Sequence, residues 1–546
     1  MRILLSVLIL LLALNTSLLA QTPKELSWPQ EKVSVHISKN IAVVGESVPL
    51  SVKIRMEGQP SPSQFAYVDL ISRNGERVSG SIIPLTKGAA NAYVQVPENI
   101  PTDHYLLRLY TRLAASLADD SQYHHELITV INPEIPPAQI PKPSNSQWVP
   151  NKSTSTIKIH KNKEQLIREE LGEIMIEASP DQELTVSISK KNPFLEAIVF
   201  TGQISSKKDS SQIIPELRGH IVKGQLITDK IDTKRPYLLS VHGDQSSLYL
   251  GKPNNQGEVY FDLGALKSYN FMILQSDADS IPFSMDLQEP FAPSPKGDLL
   301  LFPAVNISEE NKEMLDDLVL SYSTTDYFYA PQKAPTIPIV TGFDADRAYN
   351  LDEYNRFESL ATTLKEYIPT VLVRKEKGEF HFKLSNFPED NVFQNNPLML
   401  IDGMPVFDSD AIGNFSPDNI KRIEVINRKF FILDNAFEGV LNFTSYENDF
   451  GGFPIPKNAL YLEYPKIQNP MIWNFNGPES NSSQRLPDFR TIFYWDDTVK
   501  TDSNGKAKIN FKTSEISGKY EIKVSYTNPS GELIQTVSSF MVKDTK

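Results

Sequence analysis

Apolar and polar residues alternate in short runs over most of the chain, and Gly, Pro, Asn and Ser separate the runs. Alternation places every second side chain on the same face of a strand. The clearest apolar faces are Val48, Leu50, Val52 and Ile54; Leu184, Val186 and Ile188; and Tyr520, Ile522, Val524 and Tyr526. Because each such face needs a second sheet to cover it, the pattern predicts a series of β-sandwiches.

Helical periodicity appears only after residue 300. One apolar stripe follows Ser308, a residue type suited to the N-cap, and consists of Met314, Leu315, Leu318, Val319 and Tyr322. A second stripe stops before Pro369 and consists of Phe357, Leu360, Ala361, Leu364, Tyr367 and Ile368. These stripes predict a helical connector at 300–342 and an α+β domain at 343–450.

Proline-rich stretches divide the remaining chain. Six prolines between Asn132 and Pro150 remove backbone donors and predict an extended linker at 133–155. Further prolines after Gly452 predict a loop-rich connector at 451–494. Between these breaks we place separate β-sandwiches at 33–132, 156–205, 213–290 and 495–546. The predicted fold class is therefore mainly β and multidomain, with several sandwiches and one α+β domain.

The predicted α+β domain carries the most informative run of the chain. It consists of Asn396–Phe407 with its Asp402-Gly403 turn, then Ile420–Ile426, then Gly439–Thr444. This order resembles the plug domain of TonB-dependent outer-membrane receptors. In such receptors a barrel of about 22 strands surrounds the plug, whereas only about a hundred residues follow Thr444 here. The resemblance implies a plug-like module whose barrel belongs to another protein.

Two further segments of the chain resemble known families of β-sandwich domains. The run from Val96 to Thr111 is similar to the late strands of macroglobulin-type sandwiches, although His104 stands near where that family often has Gly. The run from Pro215 to Leu263 is similar to the carboxypeptidase-regulatory-like sandwich, and 495–546 reads as immunoglobulin-like or macroglobulin-like. These resemblances imply Ig-like and macroglobulin-like sandwiches around the plug-like domain.

The N-terminus predicts export. Met1-Arg2 is followed by an apolar run from Ile3 to Leu14 and by Ala20 at a plausible cleavage point, so we interpret 1–20 as a signal peptide. An anchor helix is disfavoured because the apolar core is shorter than the roughly 20 residues that span a bilayer. We expect a periplasmic protein associated with the outer membrane, or alternatively one at the cell surface.

Charge and cysteine content narrow the function further. Lys and Arg total 54 against 67 Asp and Glu, and the resulting net charge of −13 disfavours nucleic-acid partners. The sequence contains no Cys, which excludes a lipid anchor on an N-terminal Cys, disulfides and thiolate chemistry. Each domain must therefore be stabilised by its own apolar core.

No motif predicts a cofactor or a catalytic site. His124-His125 near Glu126 suggests a metal site, but adjacent residues on a strand point to opposite faces. Asp277 with Asp279, and Asp344 with Asp346, space two carboxylates for calcium without the rest of a binding loop. We found no Gly-x-Ser-x-Gly, His-Glu-x-x-His or phosphate-binding glycine motif. We therefore predict no cofactor, no metal and no enzymatic activity. A hydrolase is a third class, after a scaffold component and an adhesin.

Aromatic residues supply the predicted partner contacts. After the plug-like core, Phe430, Phe431 and Phe437 stand where the receptors have smaller residues, which indicates a loop packing on a surface. Farther on, Phe489, Arg490 and Trp495 belong to a cluster of hot-spot composition; the alternative is a domain junction against the plug-like layer. Asp402, Gly403 and Gly439 are interpreted as structural turn residues.

Together these observations favour a binding protein. The leading hypothesis is a non-enzymatic scaffold component at the periplasmic face of the outer membrane that docks onto a β-barrel transport, secretion or assembly complex. The alternative is a surface-exposed or secreted adhesin, in which the sandwiches form a stalk.

Overall fold

The computed structural model describes residues 29–117, 122–137, 148–150, 156–195, 198–200, 213–264, 266, 268–277, 282–295, 302–329, 332–333, 339–469, 471–473, 475 and 487–544. The predicted signal peptide, most of the predicted Pro-rich linker and Asp279 lie outside the described residues. Within them the protein is mainly β and multidomain, as predicted.

The strands and helices follow one another in four stretches of chain. The first contains β1 Glu31–Ile37, β2 Ile41–Val43, β3 Ser47–Met56, β4 Gln59–Pro60, β5 Phe65–Ile71, β6 Arg77–Pro84, β7 Ala89–Gln95, β8 Asp103–Thr111, α1 Arg112–Ser116 and β9 His124–Ile131. The second contains β10 Trp148–Pro150, β11 Lys158–Lys161, β12 Gln165–Ile167, β13 Leu171–Glu177, β14 Glu183–Lys190, β15 Ile198–Phe200, β16 Ile221–Leu226, β17 Tyr237–His242, β18 Gln245–Gly251, β19 Glu258–Asp262, β20 Phe271–Ser276 and β21 Met285–Leu287. The third contains α2 Lys312–Tyr329, β22 Gln332–Lys333, β23 Ile339–Thr341, β24 Arg347–Asn350, α3 Leu360–Tyr367, β25 Val371–Glu376, β26 Glu379–Asn386, β27 Asn391–Val392, β28 Leu398–Ile401, β29 Met404–Pro405, α4 Ser409–Asn414, β30 Ile420–Ile426, β31 Phe430–Ile432, β32 Asn435–Phe437 and β33 Val440–Ser445. The last contains β34 Leu460–Leu462, β35 Met471–Ile472, β36 Ile492–Lys500, β37 Lys506–Lys512, β38 Gly518–Thr527 and β39 Leu533–Lys543.

The first sandwich is built from β1 to β9. One sheet has the order β1-β3-β4 with β7 also paired to β3, and the other has the order β2-β9-β8-β5-β6. The predicted apolar face of β3 fills the core between these sheets, where Val48, Leu50 and Val52 are fully buried. The alternation alone indicates that the polar face of β3 is exposed to solvent. In the structure this face is covered, since Ser51 is buried beside Asp497. A second domain covers it.

That second domain corrects one prediction. The segments 156–205 and 495–546 were expected to form separate sandwiches, but their strands pair with each other. The orders β11-β13-β37 and β12-β39-β38-β14-β36 define one second sandwich. Neither segment supplies enough strands to cover its own apolar face, so Val186 packs with Ile522 and Val524 from more than 300 residues away.

The third sandwich also gathers distant strands. Its sheets have the orders β19-β16-β21 and β23-β18-β17-β20-β34. The edge strands β23 and β34 come from segments predicted as a helical connector and a loop-rich connector. The connectors therefore contribute to the sandwich core, where Leu460 and Leu462 pack beside Met272 and Leu274.

Residues 343–453 form the α+β domain, with a sheet of order β24-β30-β33-β28-β29 and a smaller sheet β25-β26-β27. Helix α3 begins after Ser359, whose side chain accepts a hydrogen bond from the N–H of Thr362. The predicted stripe is its buried face, with Leu360 and Leu364 fully inside the core. Because helices cover this mixed sheet, the domain is not another β-sandwich.

Helix α2 joins the first two sandwiches. Leu318, at the centre of the predicted stripe, packs against Ile41, Val43 and Ile131 of the first sandwich. On its other side Asp317 accepts a 2.7 Å hydrogen bond from Lys190 Nζ of the second sandwich. A 3₁₀ turn, Glu309–Asn311, precedes the helix and is capped by Ser308. Further 3₁₀ turns within the described residues are Leu351–Glu353, Phe387–Glu389 and Phe450–Gly452.

Polar contacts hold the first and second sandwiches together. His36 Nδ1 lies 2.6 Å from Ser525 Oγ, and His36 Nε2 lies 2.9 Å from Ser187 Oγ. The imidazole is fully enclosed and its edge meets the ring of Trp495. Burial holds the pKa of His36 well below its usual range, and the nearby ammonium of Lys523 acts in the same direction. The ring is therefore neutral at pH 7.

Buried ion pairs lie at the junction of the first and third sandwiches. Arg108 Nε donates to Asp69 Oδ2 over 3.1 Å, and its other nitrogens donate to the carbonyls of Ala292 and Pro293. Close by, Glu216 accepts from Arg112 Nη1 over 2.8 Å and from the Tyr67 hydroxyl over 2.7 Å. Each carboxylate is thus compensated by a guanidinium, as burial of charge requires.

Candidate binding surface

The predicted aromatic contacts Phe430, Phe431 and Phe437 lie on one β-hairpin, formed by β31 and β32. The register pairs Phe430 with Phe437 and Phe431 with Ala436. Phe430 and Phe437 face inward onto the outer side of the α+β sheet, where they pack on Leu398, Leu400, Ile426 and Val440. Phe431 points the other way and is 60% exposed. The three rings therefore divide into two anchors and one free side chain.

The tip of the hairpin adds a second exposed apolar residue. Leu433 occupies the first turn position, is 69% exposed and has a φ of +53°. This left-handed region favours Gly, Asn or Asp and strains a leucine. Residues held in such a conformation cluster at functional sites, where surrounding structure compensates the strain. We define Phe431, Leu433 and Ala436 as the hairpin face.

An apolar cleft opens beside the hairpin. It has a volume of about 220 Å³ and lies between β31, the segment 340–343 and the floor formed by β28. Its lining residues are Leu248, Val340, Thr341, Gly342, Phe343, Leu398, Leu400, Phe430, Phe431, Ile432 and Leu433. An apolar cavity of about 150 Å³ is large enough for a benzene ring. The cleft therefore has room for a large apolar side chain.

The Asp402-Gly403 turn ties β28 to the end of β33 and to the segment after it within the α+β domain. Asp402 and Gly403 have φ values of +47° and +80°. The Asp402 carboxylate is buried and accepts hydrogen bonds from Ser445 N, Ser445 Oγ and Phe450 N over 2.6–2.8 Å. Burial raises the pKa of Asp402, and these hydrogen bonds oppose that rise. The sequence indicates the turn but not the buried acceptor role of its carboxylate.

Gly439 has a steric role in the same sheet. Its φ is +86°, and a Cβ at this position would lie 2.5 Å from the carbonyl oxygen of Ile426 and 2.6 Å from Leu384 Cδ1. Only glycine fits such a close approach of backbone to backbone. Gly439 thereby leads the chain from the hairpin directly into β33.

The second aromatic group differs from its prediction as a partner-contact cluster. Arg490 is buried and donates to both carboxylate oxygens of Asp488 over 2.7 and 2.8 Å. Trp495 packs on His36 at the junction of the first two sandwiches, and Phe489 is half-buried. Arg490 therefore has an internal partner, and Trp495 marks a domain junction. The alternative prediction placed the junction against the α+β domain. In the structure it lies between the first and second sandwiches.

The residues considered for metals are held by other partners. His124 Nε2 lies 3.4 Å from Glu126 Oε2, while His125 is half-buried and the desolvation of its ring lowers its pKa to about 3. Asp346 accepts hydrogen bonds from Asn427 N and from Arg428, and Asp277 lies 3.9 Å from Arg235. Among the described residues no group of three or more His, Asp or Glu side chains is arranged to hold a metal ion.

Sequence reasoning missed the residues that complete the surface. Leu433 could have been recognised in the sequence, because an apolar residue stands there at a turn position where Gly, Asn or Asp is usual. Nothing in the sequence around Leu248 and Val340 indicates that they line the cleft. They reach the cleft only because β23 adds to the third sandwich in parallel beside β18, with Ser246 opposite Val340.

Fold and surface together define a class: a mainly β, multidomain protein that presents an apolar hairpin beside an apolar cleft. None of the described helices is long and apolar enough to cross a membrane.

Comparisons with known proteins do not assign it to a family. No family model matches the chain, and no curated protein matches it. Among solved structures, it is similar to Salmonella alpha-2-macroglobulin reacted with methylamine, with 8% identity and a TM-score of 0.24 over 95% of this chain and 40% of that one. Escherichia coli alpha-2-macroglobulin activated by porcine elastase gives 10% identity and a TM-score of 0.23 over 94% and 44%.

Domains 5-6 of the S-layer protein SbsC give 9% identity and a TM-score of 0.15 over 47% of this chain and 95% of that one. The chain spans about two fifths of the length of the macroglobulins that it matches. At TM-scores this low the likeness carries no argument about function.

Proposed function

We propose that this chain is a non-enzymatic scaffold that docks through its hairpin face onto a β-barrel transport, secretion or assembly complex at the periplasmic face of the outer membrane. The observation that carries the proposal is the exposure of Phe431 and Leu433 at the rim of an apolar cleft. Exposed apolar side chains grouped in this way are typical of protein-interaction sites.

Two further features support this proposal. The sequence around Asp402-Gly403 resembles the plug of outer-membrane receptors, whose natural surroundings are a barrel. The inner anchors Phe430 and Phe437 hold the hairpin on the α+β domain, so its outer face is presented in a fixed position. A hydrophobic anchor that is already ordered loses less entropy on binding than a flexible loop.

Replacement of both exposed residues tests the proposal. The double variant Phe431→Asp/Leu433→Asp is expected to reduce co-isolation of a β-barrel protein from detergent-solubilised outer membranes by about 30-fold, the loss typical of a hot spot worth 2 kcal/mol. The melting temperature should stay within a few degrees of the unmodified protein, because both side chains are exposed and Asp suits the left-handed position of Leu433.

Leu171→Asp is the matched control, since Leu171 is 74% exposed but lies on the second sandwich. It should leave co-isolation unchanged. If the double variant recovers as much barrel protein as the unmodified chain, the hairpin face is not the docking surface. If protease added to intact cells digests this protein, the protein is exposed at the cell surface, and the adhesin alternative is favoured instead.

A further inference from the structure

A second cleft lies far along the chain from the hairpin, at the junction of the first and second sandwiches. It has a volume of about 220 Å³. The first sandwich contributes Lys53 and Arg55 of β3 and Lys87 of the β6–β7 turn; the second contributes Gln182, Glu183 and Thr527. Residues from two domains thus surround one space.

Positive charge predominates in this cleft. Lys53 Nζ lies 2.7 Å from Glu183 Oε1, and the carboxylate of Asp497 also interacts electrostatically with Lys53. Lys53 is therefore compensated. Arg55 and Lys87 form no ion pair within the described part of the chain. The protein as a whole has a net charge of −13. The two uncompensated cations therefore make this cleft locally positive on a negatively charged protein.

The local structure orients these two cations. Arg55 Nη1 donates to the carbonyl of Gly58 over 3.1 Å, which holds one side of the guanidinium and leaves its other donors available. Lys87 precedes Gly88 in a tight turn closed by hydrogen bonds between Thr86 and Ala89. The Gly88 carbonyl accepts from Ile54 N, so the turn is tied to β3 beside Arg55.

We propose that this cleft binds a phosphate-type oxyanion, either a small soluble phosphate or the head group of a phospholipid. A guanidinium fork donates two parallel hydrogen bonds to the oxygens of such a group, and an ammonium adds a point charge. Since Gln182 and Thr527 of the second sandwich also line the cleft, the bound anion contacts both sandwiches and stabilises their junction by mass action.

Titration calorimetry with inorganic phosphate at low ionic strength tests the site on the full chain. We expect saturable binding with one anion per chain. The variant Arg55→Gln/Lys87→Gln should weaken it at least about tenfold, equivalent to 1.4 kcal/mol. Both replacements remove the charge but keep an unbranched polar side chain, and the melting temperature without phosphate checks that the variant is folded.

Lys377→Gln is the matched control. Lys377 also precedes a glycine in a tight turn and has a φ of +53°, against +52° for Lys87, but it lies on the α+β domain. Its replacement should leave phosphate binding unchanged. Absence of saturable binding to the unmodified chain, or equal binding by the double variant, overturns the proposal.

Vesicle sedimentation distinguishes the two sources of the anion. A head-group site predicts that the unmodified chain sediments with phosphatidylglycerol vesicles and that the double variant does not. A site for soluble phosphate predicts phosphate binding without sedimentation. Sedimentation of both proteins to the same extent assigns membrane contact to another surface and contradicts a head-group role for this cleft.

Discussion

Replacement of Arg108 by methionine is expected to lower the free energy of unfolding by about 3–5 kcal/mol, the typical cost of removing one partner from a buried ion pair. Arg108 is 1% exposed and Asp69 is fully buried. Of the side chains that donate to the Asp69 carboxylate, the variant keeps only the Tyr110 hydroxyl, which lies 3.4 Å away. A buried carboxylate with so weak a partner strongly destabilises a fold.

Two further losses add to this cost. The carbonyls of Ala292 and Pro293 lose the donors that tie their segment to the first sandwich. The guanidinium also lies 4.9 Å from the centre of the Tyr110 ring, an arrangement that stabilises a cation over an aromatic face. Methionine fills part of the volume but supplies no charge and no N–H donor.

Urea denaturation of the two proteins at pH 7 measures the effect. The double variant Arg108→Met/Asp69→Leu is the control, because removal of both charges leaves no uncompensated carboxylate and should recover a large part of the loss. A loss below about 1 kcal/mol in the single variant would show that Asp69 does not depend on Arg108 for its compensation.

The second large effect is expected from pH. Stability should fall steeply as pH decreases from 7 to 5, because three buried histidines and the half-buried His125 are neutral in the folded chain. Burial lowers the pKa of His104 to about 4 and those of His125 and His242 to about 3. Burial also places the pKa of His36 well below 6.5.

The sign follows from proton binding. Below pH 6.5 the unfolded chain takes up a proton on each of these histidines, whereas the folded chain does not until its lower pKa is reached. A histidine that stays neutral in the folded chain then costs about 1.4 kcal/mol per pH unit, so His104, His125 and His242 together cost about 4 kcal/mol per unit between pH 6 and 5. The carboxyls of Asp69 and Asp402 act in the opposite direction, since burial raises their pKa in the folded chain.

Urea denaturation at a series of pH values measures this dependence. His36→Gln can hydrogen-bond to one of the serines but cannot be protonated, so the stability of this variant should fall less steeply between pH 6 and 5 than that of the unmodified chain. Stability that is flat between pH 7 and 5 would contradict the assignment of these histidines as neutral and buried.

Local patterns in the sequence predicted local structure well. The stripe ending at Ile368 gave helix α3, and the alternation from Val48 to Ile54 gave β3, because side-chain periodicity reflects burial directly. The Asp-Gly pair gave the turn at 402–403, since the turn needs positive φ.

Long-range pairing was not predictable in the same way. Nothing near Val186 indicates that its sheet neighbours lie beyond residue 490, because strand pairing is decided by which apolar face remains uncovered after the whole chain folds. Arg490 shows the same limit for a single side chain. Arginine is a residue type that is frequent at interfaces, but here the nearby carboxylate of Asp488 accepts two hydrogen bonds from the guanidinium of Arg490.

The hairpin face was only partly visible in the sequence. The aromatic residues Phe430, Phe431 and Phe437 stood out, but their division into two anchors and one exposed ring depends on the register of β31 and β32. The cleft beside them depends on β23, a strand from a segment predicted as a connector.

The most direct test of the central claim is photo-crosslinking from the hairpin in intact cells. A photoreactive residue at position 431, irradiated before the envelope is solubilised, should yield a covalent adduct with a β-barrel protein, and the same residue at position 171 should not. An adduct at neither position, or one only with soluble proteins, would contradict docking of the hairpin face onto an outer-membrane barrel.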